Sequence, residues 1–202
     1  MKYAYDLSVT SNQRTIQDEC VDCGNVYETI AMHSFFTPNQ PLHADDGQYI
    51  VTTDEDWERK RIPENTVHLL FKGYIGYFKI DFDISPFTQF TQLQSLEMTC
   101  NNFKHVSCLR IDGMPALESI QIGKNSFNRL HFGDDVNQDR SCHILRCPKL
   151  RKIVFGQMAF YDYTVFELKE LSALEILEIQ KSCFYYGKEF ILRGRMICLH
   201  RN

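Results

Sequence analysis

The chain has 202 residues and a mass of 23.7 kDa, with 44% hydrophobic and 24% charged side chains. These values predict one folded unit and exclude a disordered chain, a collagen-like repeat and a multi-domain enzyme. The net charge of −4 argues against nucleic acid as a partner, because phosphate contacts need an excess of Lys and Arg.

The N-terminal residues lack the apolar core of a secretory signal, and no stretch reaches the roughly 18 apolar residues of a membrane span. We therefore expect an intracellular, cytoplasmic protein that does not insert into membranes. Several of the eight cysteines lie within apolar patterns, where a reduced thiol behaves as a small core residue. These cysteines are Cys100, Cys108, Cys142, Cys147 and Cys183.

Residues 1–66 form an acidic region without a visible repeat. They carry 5 Lys or Arg and 12 Asp or Glu, against 17 and 14 in the remaining residues. The region is predicted to cap the repeats that follow, because a terminal repeat otherwise leaves an apolar face open. It also contains the pair Cys20 and Cys23, but the spacing to His33 and His43 fits no familiar zinc module. We expect no metal and no cofactor.

Residues 67–92 are predicted to hold one or two degenerate repeats. Phe78, Ile80, Phe82 and Ile84 alternate with polar residues, which is the pattern of a half-buried strand. We expect this strand, together with residues 62–71, to extend the repeats or their cap.

From residue 93 to 202 the chain repeats itself, with an incomplete last unit. The segments LQSLEMTCNNF, LESIQIGKNSF, LRKIVFGQMAF and LEILEIQKSCF align without gaps and begin 24, 33 and 24 residues apart. The longer spacing comes from the polar excursion GDDVNQDRS at 133–141, which is predicted to be an exposed loop. A second apolar half follows each segment, and the last one, which begins at Phe190, has no visible cap.

This template resembles the leucine-rich repeat, L-x-x-L-x-L-x-x-N/C-x-L, and is most similar to the divergent, Phe-rich repeats common in protist proteins. Asn101 and Asn125 occupy the family's asparagine position, which implies side-chain hydrogen bonds in the turn after the strand. Met158 and Ser182 depart from it. The resemblance implies a β-rich leucine-rich repeat solenoid, with a parallel concave sheet, short convex strands or turns, and little helix.

The resemblance also implies a binding face, because the residues between the repeated leucines point outward from the concave sheet. Gly123 and Gly156 are expected to allow a partner's backbone to approach closely. The outward columns are Ser95, Ser119, Lys152 and Ile176; Glu97, Gln121, Val154 and Glu178; and Thr99, Gly123, Gly156 and Gln180.

We expect a non-catalytic recognition module, a scaffold or adaptor that binds another protein through this sheet, since the sequence has no nucleophile elbow, phosphate loop or dinucleotide fingerprint. The alternative is a structural subunit that docks into a larger assembly through its uncapped C-terminal end. A third class is an enzyme or metal protein centred on Cys20 and Cys23.

Overall fold

A computed structural model describes residues 47–58, 62–79, 89–129 and 140–194, together with residues 82, 84 and 87. All of them belong to the second of the chain's two compact units, Thr37–Asn202. The predicted pair Cys20 and Cys23 lies outside the described residues.

The described residues form ten short strands and one short helix, α1, at Asp54–Glu58. The strands are β1 (Gln48–Val51), β2 (His68–Phe71), β3 (Ser95–Met98), β4 (Cys108–Asp112), β5 (Ser119–Ile122), β6 (Ser141–Leu145), β7 (Lys152–Phe155), β8 (Val165–Lys169), β9 (Ile176–Ile179) and β10 (Glu189–Arg193).

The strands form two parallel sheets, and from β3 onward they alternate between the two. Sheet A has six strands in the order β1-β2-β3-β5-β7-β9, and sheet B has four in the order β10-β8-β6-β4. The described part of the chain therefore winds as a β-solenoid of about five turns with almost no helix. This confirms the predicted β-rich solenoid with parallel sheets.

The first two strands of sheet A precede the clear repeats: β1 lies in the acidic region 1–66, and β2 lies in residues 67–92, where degenerate repeats are predicted. β1 pairs with β2 in register, and β2 pairs with β3. Helix α1 then places Trp57 against Phe71, Phe87 and Phe90, with ring centroids 5.1, 5.4 and 6.4 Å away. This aromatic cluster fills the core of the first described turns of the solenoid.

The strand predicted around residues 78–84 is wrong for the residues that the structure describes. Phe78 is 84% exposed, whereas Phe82 and Ile84 are buried, and none of the three lies in a strand. Alternation of apolar and polar residues also arises when a non-strand segment packs only some of its side chains on the core.

A column of phenylalanines runs through the centre of the core. The rings of Phe103, Phe127, Phe160 and Phe184 stack with successive centroids 5.2, 4.7 and 5.2 Å apart. Each of these residues has a φ between 51° and 56°, a region that bulky residues avoid. We infer that burial of the stacked rings offsets this backbone strain, which is about 1–2 kcal/mol per residue.

The turn after β3 is held by Asn102 rather than by Asn101. Asn102 is fully buried, accepts the Ile75 N–H at 2.8 Å and donates to the Thr99 carbonyl at 2.6 Å. Asn101 and Asn125 instead adopt φ values of 63° and 58°, which asparagine tolerates well. In the first repeat, the side-chain hydrogen bonds predicted for Asn101 are therefore made by the next residue, Asn102. Asn101 itself occupies the position where the backbone is left-handed.

The polar excursion ends earlier than predicted, because Arg140 is buried and Ser141 begins β6. The Arg140 guanidinium pairs with Asp162, donates to the carbonyls of Lys104 and Val106, and lies over the Tyr163 ring at 4.5 Å. Residues 130–139 lie outside the described part of the chain. Arg140 is thus an anchor where the chain re-enters the solenoid.

All five described cysteines are free. Cys142 and Cys147 are buried, and Cys100 and Cys183 are half-buried, as expected of small core residues. Cys108 is exposed, because it is the first residue of β4 and points away from the core. Its assignment to the core was wrong.

Candidate recognition face

The outer face of sheet A carries the predicted binding residues in two continuous rows. Ser95, Ser119, Lys152 and Ile176 are direct neighbours across β3, β5, β7 and β9. Glu97, Gln121, Val154 and Glu178 form the second row in the same register. The residues between them in each strand belong to the core, so the predicted alternation of outward and inward side chains is confirmed. We call these eight residues the recognition face.

Both rows continue onto β1 and β2, which the sequence reasoning missed. His68 and Gln48 extend the row of Ser95, and Leu70 and Ile50 extend the row of Glu97. These strands lack the repeated leucines at the template's spacing. The alternation of the core residues Tyr49 and Val51 could have predicted strand β1 from the sequence.

On this surface, a side-chain hydrogen bond and a carboxyl with a shifted pKa lie on β3 and the neighbouring β2. His68 Nδ1 lies 2.8 Å from Ser95 Oγ, so the two side chains share a hydrogen bond. Burial raises the pKa of the Glu97 carboxyl above its ordinary value of 4.5. Because Leu70 and Gln121 are its neighbours across the sheet, Glu97 has no cation directly opposite on either side. A desolvated carboxylate in this position favours a partner group that donates a hydrogen bond or a positive charge.

The third predicted column lies in the turns that follow the strands of sheet A, and its members make contacts between turns of the solenoid. A Cβ on Gly123 would lie 2.6 Å from the Thr99 carbonyl carbon. A Cβ on Gly156 would lie 2.6 Å from the Lys124 backbone nitrogen. These glycines therefore admit the backbone of the preceding turn, and the expectation that they allow a partner's backbone to approach stays a prediction.

The two polar members of that column also bond within the turns. Thr99 Oγ1 accepts the Gly73 N–H at 3.2 Å, and Gln180 Oε1 accepts the Gln157 N–H at 2.9 Å. Their side chains are used between successive turns. Of the twelve predicted binding residues, the eight within strands define the recognition face, and a role for the four in the turns stays a prediction.

The described residues offer no grouping of three or more His, Cys, Asp or Glu side chains that could hold a metal ion. The possible zinc ligands Cys20, Cys23, His33 and His43 all lie outside the described part of the chain. Within the described ranges, no helix has the length and hydropathy that a membrane span requires.

The C-terminal end of the solenoid presents a second surface of interest. Phe190 and Leu192 in β10 are 53% and 52% exposed, whereas Phe166 and Leu168, at the same positions one turn earlier, are 2% exposed. Tyr185 is also exposed, and its ring stacks on Tyr161 at 5.1 Å. The last described turn therefore leaves apolar side chains half-covered.

Comparison with known proteins adds no relative to this description: no protein-family model, curated protein or solved structure matches the chain.

Proposed function

We propose that the chain is a divergent leucine-rich repeat protein whose function is to recognise another protein through the outer face of sheet A. The observation that carries the proposal is the register of sheet A, which aligns eight outward side chains in two rows across four strands. Parallel rows of this kind suit an extended contact, because each turn adds one pair of side chains at a regular spacing. The sheet would then be the concave side of the solenoid.

The chemistry of the recognition face suits a protein partner of mixed polarity. Val154 and the 41%-exposed Ile176 offer apolar contact, and Lys152, Glu97 and Glu178 offer charges of both signs. Charged groups around an apolar centre give specificity and orient a partner. We assign no catalytic role and no cofactor to this surface, and we place its action inside the cell.

The test is affinity capture from the native source with mass spectrometry, using the wild type and the double variant Gln121→Arg/Glu178→Arg. Both positions are exposed on the recognition face, so the variant should fold normally. We expect a partner that the wild type captures and the variant loses, because two new cations face the bound surface.

A matched control makes the result specific to the face. The double variant Ser107→Arg/Glu64→Arg changes the net charge by the same amount at two exposed positions outside the strands of sheet A. This control should retain the partner. A partner that both double variants lose, or that both retain, contradicts recognition through the outer face of sheet A.

A second candidate function is that of a structural subunit docked through the C-terminal end. The half-exposed Phe190 and Leu192 favour it, because apolar side chains left open at the end of a solenoid gain stability when another surface covers them. On this hypothesis the partner is retained by the variants of the recognition face and lost by changes in β10.

A further inference from the structure

The last strand of sheet B has one paired edge. β10 pairs with β8, and no described strand pairs with its opposite edge. Such an edge presents unpaired N–H and C=O groups, which can form hydrogen bonds with a strand of another molecule. In combination with the half-exposed Phe190 and Leu192, this edge offers both backbone and apolar contacts to a partner.

The two ends of the described solenoid differ, which limits the ways in which copies can associate. The core side chains of the first described turn, Tyr49, Val51 and Trp57, are buried, whereas β10 leaves its core-facing side chains half-exposed. A head-to-tail stack would therefore join an open end to a covered one. A two-fold arrangement brings two open ends together and closes.

The backbone of β10 sets the register that a second copy would adopt. The Glu189 N–H donates to the Thr164 carbonyl at 3.0 Å, and the Arg193 carbonyl accepts from the Glu170 N–H at 2.9 Å. Successive residues of a strand direct their backbone groups to opposite edges, so Phe190 and Leu192 direct theirs to the unpaired edge. Antiparallel pairing of two β10 strands about Ile191 joins Phe190 of one copy to Leu192 of the other.

The same register makes the charges of β10 complementary to themselves. The strand reads Glu-Phe-Ile-Leu-Arg, with a carboxylate at its start and a guanidinium at its end. Antiparallel pairing about Ile191 places Glu189 opposite Arg193 of the second copy, and this contact occurs twice. Opposite charges on facing residues stabilise a sheet, whereas parallel pairing in register would oppose like charges.

We propose that the chain forms a two-fold symmetric homodimer by antiparallel pairing of β10 with β10 of a second copy. The proposal names the partner for the second candidate function and rests on it. In this dimer, sheet B continues across the two copies as eight strands, and Phe190 and Leu192 pack at the junction of the two cores. The recognition face on sheet A is not used.

The test is sedimentation equilibrium of the full chain over a range of concentrations, with circular dichroism to confirm the fold of each variant. The wild type should approach twice the mass of 23.7 kDa as concentration rises. Glu189→Arg and Arg193→Glu should each weaken the dimer about tenfold or more, because each change replaces two facing pairs of opposite charge with like charges. The double variant Glu189→Arg/Arg193→Glu should restore the wild-type dissociation constant, because the exchanged charges again face each other.

Lys149→Glu is the matched control, since it makes the same change in charge as Arg193→Glu at an exposed position outside β10. It should leave the dimer unchanged. A chain that stays monomeric at every concentration overturns the proposal, and so does a dimer in which the double variant is no tighter than the single ones. A monomer that captures a different protein through β10 overturns the homodimer while supporting the second candidate function.

Discussion

Gly156 tests the packing of successive turns most directly. Gly156→Ala would place a Cβ 2.6 Å from the Lys124 nitrogen and 2.9 Å from the Gly123 carbonyl carbon. Ordinary van der Waals contact begins near 3.4 Å, and both opposing atoms are backbone that cannot rotate away. The two turns must therefore separate, which strains the 2.7 Å hydrogen bond from Gly156 N–H to the Ile122 carbonyl.

The expected loss of stability in Gly156→Ala follows from these contacts. Overpacking costs about 1–3 kcal/mol and a weakened hydrogen bond about 1 kcal/mol, so the free energy of unfolding should fall by about 2–4 kcal/mol. For a chain of this size that change lowers the melting temperature by about 5–15 °C. The measurement is urea and thermal unfolding followed by circular dichroism.

Gly113→Ala is the control, because Gly113 has a φ of 69° and a Cβ there meets nothing within 4 Å. It carries only the cost of left-handed backbone, about 1 kcal/mol. Gly156 lies outside that region of φ, so its cost is steric alone. If Gly156→Ala unfolds no more easily than Gly113→Ala, the proposed limit on the distance between turns is wrong.

Four further predictions concern buried polar groups and thiols. Asn102→Ala should lower the free energy of unfolding by about 2–3 kcal/mol in urea titrations, because it leaves the buried Ile75 N–H without an acceptor. A loss no larger than that of Asn101→Ala would contradict this role. Arg140→Ala should cost about 3–5 kcal/mol by thermal unfolding, since it leaves the Asp162 carboxylate and the Lys104 carbonyl without the guanidinium; a cost below about 1 kcal/mol would contradict the anchor. Burial raises the pKa of the Cys183 thiol from its ordinary 9.0 to about 12, so iodoacetamide at about pH 8 should label the exposed Cys108 first, as read by mass spectrometry. Above pH 9.0 the Cys183 thiol ionises in the unfolded chain but stays neutral in the folded one, so the free energy of unfolding falls as the pH rises from 9.0 towards 12. Cys183→Ser should reduce this fall, as measured by urea titrations at increasing pH.

The repeated part of sheet A could be predicted from the sequence because its determinants lie within each strand. In a strand such as β3, the alternation of Ser95, Leu96, Glu97 and Met98 states which side chains face the core. The same positions recur in the next three segments, so the register of the outward rows follows from the spacing of the repeat. The eight strand residues of the candidate site were predicted for this reason.

The contacts between turns could not be predicted in the same way, because they join residues far apart in the chain. The backbone of Gly123 and Lys124 lies directly against Gly156, and the buried Arg140 donates hydrogen bonds to the carbonyls of Lys104 and Val106. The local sequence pattern does not determine which backbone atoms of a neighbouring turn will lie against a given residue.

The sequence by itself determined the period of the solenoid, the strands β3, β5, β7 and β9 and the outward direction of their side chains, since local periodicity decides which residues meet water. Only the tertiary structure decided that β1 belongs to the sheet and that Asn102 holds the turn after β3. Each of these depends on how one turn packs against the next, and the free energy of that packing belongs to pairs of turns.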